Sequence, residues 1–198
     1  MTIHSTEITP ATWRSSIRHL KAVDPHLGRV IDTCGNIQLE IQRRRSPFEY
    51  LLRSIIFQQL SGKAADTIHG RFLALFPQKR PTPQRVLRLK PNKFRICGVS
   101  RGKESAIRDL ARHARDCLVP GFSKLEKMSD DEIIDTITPI HGIGRWTVQM
   151  LLIFQLGRPD VLPVDDLAVR KGFALMRGKK VLPTPKQLTR AAKKWQPY

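Results

Sequence analysis

Two short stretches of this sequence hold residue types whose spacing could do chemistry. The first, Thr138 to Leu151, reads TPIHGIGRWTVQML, with Gly142 and Gly144 around a single isoleucine between two segments of helical spacing. A helix that restarts after such a turn presents amides with no carbonyl one turn back, and these carry partial positive charge. Glycines permit positive φ angles and remove the side chains that would shield those amides. A phosphate can then settle on the backbone without any base-specific contact. Gly142, Gly144, Arg145 and Thr147 are the candidate phosphate-binding residues. A lone Gly-x-Gly is usually an ordinary turn. The longer pattern here (apolar, any residue, Gly, apolar, Gly, two residues, Thr) is more specific. The second stretch, PVDDLAVRKG, opens at Pro163 and sets Asp165 and Asp166 ahead of an apolar segment. One of the two can simply cap a helix. Acidic groups repel phosphates, so a carboxylate beside a phosphate-binding surface needs a reason, and a reaction that develops positive charge on its substrate supplies one.

The elements that must position these residues announce themselves by their caps. Ser46-Pro47 with Glu49, and Ser129 with Glu132, are capping boxes, and Thr184-Pro185 with Gln187 is a third. Thr9-Pro10, Ser61, Thr82-Pro83 and Ser100 open further helices by the same logic. Between the caps, apolar residues recur at helical spacing, as in the stripe Ile107, Leu110, Ala111, Ala114 and Leu118. Pro139 stops the segment DDEIIDTI, and the chain restarts as RWTVQMLLIFQL, apolar almost all round and expected to be buried. Gly157 is expected to end that helix, and RPDVLPV cannot be helical. One short strand, NIQLEI at 36–41, is the single exception to an all-α chain.

Charge bounds the partner. The 198 residues carry 35 Lys and Arg against 17 Asp and Glu, a formal +18, which points to a polyanion and most often to nucleic acid. The basic residues are spread along the whole chain rather than gathered in a tail. A hydrophobic fraction of 40% is enough for a core. No window approaches the roughly 20 apolar residues of a membrane span, and the polar start MTIHSTEITP does not read as a secretory signal. Cys34, Cys97 and Cys117 lack metal-ligand spacing, which excludes a zinc or iron–sulfur motif and suits a reducing, intracellular compartment. The expected location is cytoplasm and nucleoid, or the nucleus in a eukaryote.

HGIGRWTVQMLLIF followed by DVLPVDDLAVRKGF resembles the Gly-Pro-Asp form of the helix-hairpin-helix DNA glycosylases. Within that superfamily the sequence is most similar to the 3-methyladenine DNA glycosylase II group, as are SIIFQQLSGKAA and GVSRGKESAIRDLA. The resemblance runs from about Ser46 to Tyr198. It implies an all-α helix-hairpin-helix glycosylase fold of two helical subdomains, 46–145 and 1–45 plus 146–198, with the active cleft between them. It implies excision of alkylated purines from double-stranded DNA by a monomer. Laid on the family pattern without gaps, the catalytic aspartate falls on Asp166 and leaves Asp165 as the cap; a shift of one residue would exchange them. The resemblance assigns gap filling to Gln59 and to the turn at Val99 and Arg101, with Trp146, Phe57 and Met150 as pocket walls. It implies no required cofactor, and a monovalent cation held by the backbone carbonyls of Thr138, Ile140 and Ile143. Trp146 stands where lyase members carry a Schiff-base lysine, so a monofunctional enzyme is expected. In the family a similar tryptophan–proline motif leads into one more helix, whereas this sequence ends at KKWQPY. The alternative is a non-catalytic helix-hairpin-helix DNA-binding module.

Overall fold

The computed structural model describes residues 10–35, 39–41 and 45–198. Twelve α-helices follow one another among them. They are α1 Pro10–Val23, α2 Pro25–Cys34, α3 Pro47–Phe57, α4 Gly62–Leu73, α5 Pro83–Arg88, α6 Pro91–Cys97, α7 Arg101–Arg115, α8 Phe122–Leu125, α9 Asp130–Ile137, α10 Arg145–Phe154, α11 Leu167–Met176 and α12 Pro185–Ala192. No described residue is in a strand. The strand expected at 36–41 lies partly outside the described residues, and 39–41 are not part of any strand. No described helix is long and apolar enough to cross a membrane.

Backbone contacts divide the chain into two compact units, 43–151 and 1–42 with 152–198. In the first, the capping box of Ser46 and Glu49 starts α3, whose Phe48, Leu51, Leu52, Ile55 and Ile56 are all buried at helical spacing. Phe72 of α4 meets Phe76 and Phe94 with ring centroids 5.2 and 5.5 Å away, and Ile107, Leu110 and Ala111 of α7 complete this core. Arg108 fastens α7 to the end of α5 by donating to the carbonyls of Leu87 and Leu89. Leu118, expected on the α7 stripe, lies past the helix end and is exposed.

The second unit is built around a carboxylate that sequence reasoning overlooked. Asp24 is fully buried. Its Oδ1 caps α2 by accepting the amides of His26 and Leu27. Its Oδ2 accepts from Arg177 at 2.5 Å, Lys194 at 3.2 Å and Trp195 Nε1 at 3.0 Å. Burial alone would raise its pKa, but the bonds from Trp195, Lys194 and Leu27 and the charge of Arg177 hold it below the ordinary carboxylate value. One side chain thus joins α2, the end of α11 and the last residues of the chain.

Candidate functional site

The hairpin takes the form its residues dictate. The capping box of Ser129 and Glu132 starts α9, and Thr138, just before Pro139, caps its end. The chain turns through Ile140 and Ile143, both buried, with the Ile143 amide bonded to the Ile140 carbonyl at 3.0 Å. Gly142 has φ +80°, and a Cβ there would sit 2.7 Å from the Cβ of Ala106. Conformation and close approach to α7 both require glycine. Gly144 differs from the expectation. It does not adopt a positive φ, and a Cβ there would meet nothing within 4 Å. Its carbonyl accepts the Thr147 amide at 2.9 Å as α10 begins. Neither packing nor φ calls for glycine at 144, which leaves open space at a helix N-terminus.

The residues proposed to touch phosphate sort by exposure. Arg145 is exposed and 3.6 Å from Asp131, both side chains in solvent. Such a pair is worth about 0–1 kcal/mol and yields readily to a phosphate. Thr147 is buried, with its amide already bonded to Gly144, so it is structural. Trp146 is 47% exposed on the first turn of α10, and Met150 one turn on is half-buried. The apolar restart is therefore buried along one face only: Val148, Leu151 and Leu152 are enclosed while Trp146 and Phe154 reach solvent. The helix ends at Phe154, before Gly157.

The segment before α4 has the shape of a device. The capping box at Ser46 opens PFEYLLRSIIFQQL, a run to Leu60, but helix α3 stops three residues short of it, at Phe57. Gln58 has φ −55° and ψ 133°, Gln59 has φ +56°, and the Leu60 amide reaches back to the Phe57 carbonyl at 3.4 Å. These are the features of a type II turn with Gln59 at the position that favours glycine. A left-handed non-glycine residue costs about 1–2 kcal/mol, and such strain clusters at functional sites. The exposed Gln59 side chain is held out at that cost. Gln58 turns the other way and donates from Nε2 to the carbonyl of Gly142 at 2.8 Å. Phe57 is half-buried, with the Arg53 guanidinium 3.5 Å over its face and the His69 ring edge-on at 6.0 Å. It is engaged by its own unit on two sides. Of the turn residues Val99 and Arg101, Val99 is buried and Arg101 is exposed at the start of α7.

In the other unit, Asp166 is the N-cap of α11. Its Oδ1 accepts the amides of Ala168 at 2.7 Å and Val169 at 3.0 Å. This corrects the division of labour expected between the two acids, because the cap is Asp166 and not Asp165, which is exposed in the preceding turn. The cap does not conflict with chemistry. Both amides bind one oxygen, and a helix N-terminus favours a charged carboxylate.

Residues 52–197 match the HhH-GPD superfamily of base excision DNA repair proteins. The chain belongs to that family. DNA-3-methyladenine glycosylase 1 of Schizosaccharomyces pombe is 35% identical over 180 residues, 90% of this chain and 78% of that protein. The solved S. pombe 3-methyladenine DNA glycosylase in complex with abasic DNA is similar with a TM-score of 0.82 at 33% identity, over 93% of this chain and 90% of that one. A DNA-3-methyladenine glycosidase from Bacillus halodurans gives 0.83 at 33% identity, over 98% of this chain and 85% of that one. The all-α HhH-GPD fold is thus the fold of this protein. What sequence reasoning missed in the site are the side chains that brace the hairpin and the Gln59 turn. Asp109 of α7 accepts the His141 amide at 2.8 Å, a bond that holds its own pKa below the usual value. Lys103, also on α7, donates to the carbonyls of Ile56 and Gln58. A signal existed for Lys103, because it lies four residues before Ile107 on an apolar stripe, where a lysine must find partners.

Proposed function

We propose that this chain is a base excision DNA glycosylase that hydrolyses the N-glycosidic bond of alkylated purines such as 3-methyladenine in duplex DNA, and that it stops at the abasic site. The observation that carries the reading is Asp166, a carboxylate fixed at the N-terminus of α11 in a chain of the HhH-GPD family. The likeness to relatives named 3-methyladenine glycosylases supports the substrate class.

The chemistry follows from the lesion. An N-alkylated purine already carries positive charge, so the C1′–N bond breaks with its electron pair going to the base, which leaves neutral without a general acid. The sugar becomes oxocarbenium-like. Asp166 stabilises that charge or orients the water that adds to C1′, and the water's proton is lost to solvent. The target base must first leave the stack, at a cost of a few kcal/mol. Gln59 fills the gap, with exposed Arg101 as the second filler in place of buried Val99. Trp146 offers an aromatic face to a cationic base. Gly144 and Arg145 take a phosphate. The carbonyls of Thr138, Ile140 and Ile143 are neutral, hard oxygen donors that fit an alkali cation. Such an ion would add positive charge beside the phosphate, and no step of base release depends on it. A tryptophan at 146 has no amine to form a Schiff base with the sugar, which supports a monofunctional enzyme.

Incubation with alkylated duplex DNA tests the reading directly. Free alkylpurine should appear, strands should stay intact until alkali is added, and borohydride should trap no protein–DNA adduct. A trapped adduct would overturn the monofunctional assignment. Tight DNA binding with no base release would leave a non-catalytic binding module.

A further inference from the structure

Helix α7 touches both parts of the DNA-facing apparatus in the unit 43–151. At its first turn, Lys103 Nζ donates to the carbonyls of Ile56 at 2.7 Å and Gln58 at 2.8 Å. These carbonyls lie at the end of α3, where helix geometry leaves acceptors without an intrahelical donor. One turn on, Ala106 packs against Gly142 so closely that no Cβ could be added there. At the next turn, Asp109 holds the His141 amide. The fourth link is Gln58, whose backbone carbonyl is held by Lys103 while its side chain reaches the Gly142 carbonyl. Lys103 is half-buried, and burial pushes its pKa below the ordinary lysine value. The residue that gains from the arrangement is the next one, the strained and exposed Gln59.

We propose that Lys103 is a positioning residue that holds the Gln58–Gln59 turn in the conformation that presents Gln59 to the DNA stack, in register with the hairpin. The proposal rests on the reading of Gln59 as the residue that fills the gap left by the extruded base. Without the ammonium, the Ile56 and Gln58 carbonyls lose a charge-assisted donor. The turn then relaxes, because an unconstrained glutamine avoids the left-handed region. Gln59 would point elsewhere, although the hairpin, still braced by Asp109 and by the Ala106–Gly142 contact, would keep its grip on phosphate.

The test uses the full chain, with Lys103→Met to remove the donor and Lys103→Arg to keep it. Duplex DNA with a stable abasic-site analogue opposite 2-aminopurine reports gap filling by fluorescence, independently of catalysis. The parent should change the signal on binding, and Gln59→Ala should not. Lys103→Met should lose most of the change while binding undamaged duplex about as tightly as the parent, and Lys103→Arg should restore it. Excision supplies the second readout. From a paired lesion Lys103→Met should be slower by about ten- to a hundredfold, the usual range for a misplaced positioning group. From a lesion opposite a gap, where no partner base needs support, the loss should be much smaller. A purely structural role would slow both substrates equally. That result, or a parental fluorescence change in Lys103→Met, would overturn the proposal. If Lys103→Met does not fold, Lys103→Gln, which keeps a shorter donor, enters the same comparison. If the parent releases no base at all, the glycosylase reading fails and the fluorescence arm alone decides the role of Lys103.

Discussion

Asp166 caps α11, and under the proposed mechanism the same side chain also faces the sugar, two roles that substitutions can separate. Asparagine caps a helix about as well as aspartate, so Asp166→Asn should leave α11 and overall stability nearly unchanged. It removes the charge that faces the developing sugar cation. Preorganised charge of this kind is worth about 3–4 kcal/mol, a hundredfold or more in rate. Base release should collapse while DNA affinity holds or rises, because one anion near the phosphates has gone. Asp165→Asn, at an exposed turn position, should change little. Equal activity in parent and Asp166→Asn, measured side by side, would sink the mechanism. Gln59 makes the opposite trade. Gln59→Gly relieves left-handed strain of about 1–2 kcal/mol against an entropic cost of about 0.5–1, a net gain of up to about 1.5 kcal/mol. The variant should therefore unfold at equal or higher denaturant concentration and yet excise more slowly. A protein both less stable and fully active would show that the turn is merely a helix end. The acidic pair stood out in the sequence by residue type, whereas Gln59 was singled out only through the resemblance to the glycosylase family. Their geometry was not legible: which acid caps α11, and that α3 stops short so that Gln59 turns left-handed, depend on backbone bonds that residue types leave open.

At the scale of elements, caps and prolines were the most legible features. Helices α3, α9 and α12 start at the capping boxes read from residue types alone. Helix α6 was not anticipated, because Lys90 at its N-cap makes no side-chain bond. Helix α2 carried a signal that went unread, Asp24-Pro25, with the aspartate accepting two amides. The braces of the hairpin were hidden for another reason, since Asp109 and His141 are 32 residues apart and Lys103 and Ile56 are 47 apart. Periodicity within one helix says nothing about such pairs. The two hairpin glycines, alike in sequence, now predict different outcomes. Gly142→Ala forces a Cβ onto Ala106 and a left-handed alanine, costing roughly 2–5 kcal/mol. It should lower the melting temperature sharply. At Gly144 a Cβ meets nothing within 4 Å, so Gly144→Val should lower stability by about 1 kcal/mol or less. Affinity for duplex DNA should drop regardless of sequence, with a shallower dependence on salt. Parental affinity in Gly144→Val at the same salt would mean that the open space at the start of α10 holds no phosphate.

For the molecule as a whole, the two units should respond to acid in different pH windows. In the unit 43–151, His69 is 7% exposed. Burial, and then the charges of Arg53 and Arg45, lower its pKa to about 4. The unfolded chain, with an ordinary histidine near 6.5, binds a proton in that interval which the folded unit refuses. Stability therefore falls as pH drops from about 6.5 to 4, by up to roughly 3 kcal/mol. In the other unit the sign is the same but the window lies lower. Asp24 has a lowered pKa in the fold, so its contribution is intact above the ordinary aspartate value of 3.8 and is lost as pH falls through the folded value. Its protonation would release Arg177 and Lys194 from a buried partner. Hydrogen exchange at pH 7 and pH 4.5 distinguishes the units peptide by peptide. At pH 4.5, peptides from 45–151 should lose protection relative to pH 7 after correction for intrinsic exchange rates. Peptides from 10–35 and 152–198 should change little. His69→Phe keeps an aromatic ring against Phe57 and removes the proton, so it should abolish the loss in the first set. If protection at pH 4.5 falls equally in both sets, or if His69→Phe leaves it unaltered, the acid sensitivity of the 43–151 unit does not come from His69.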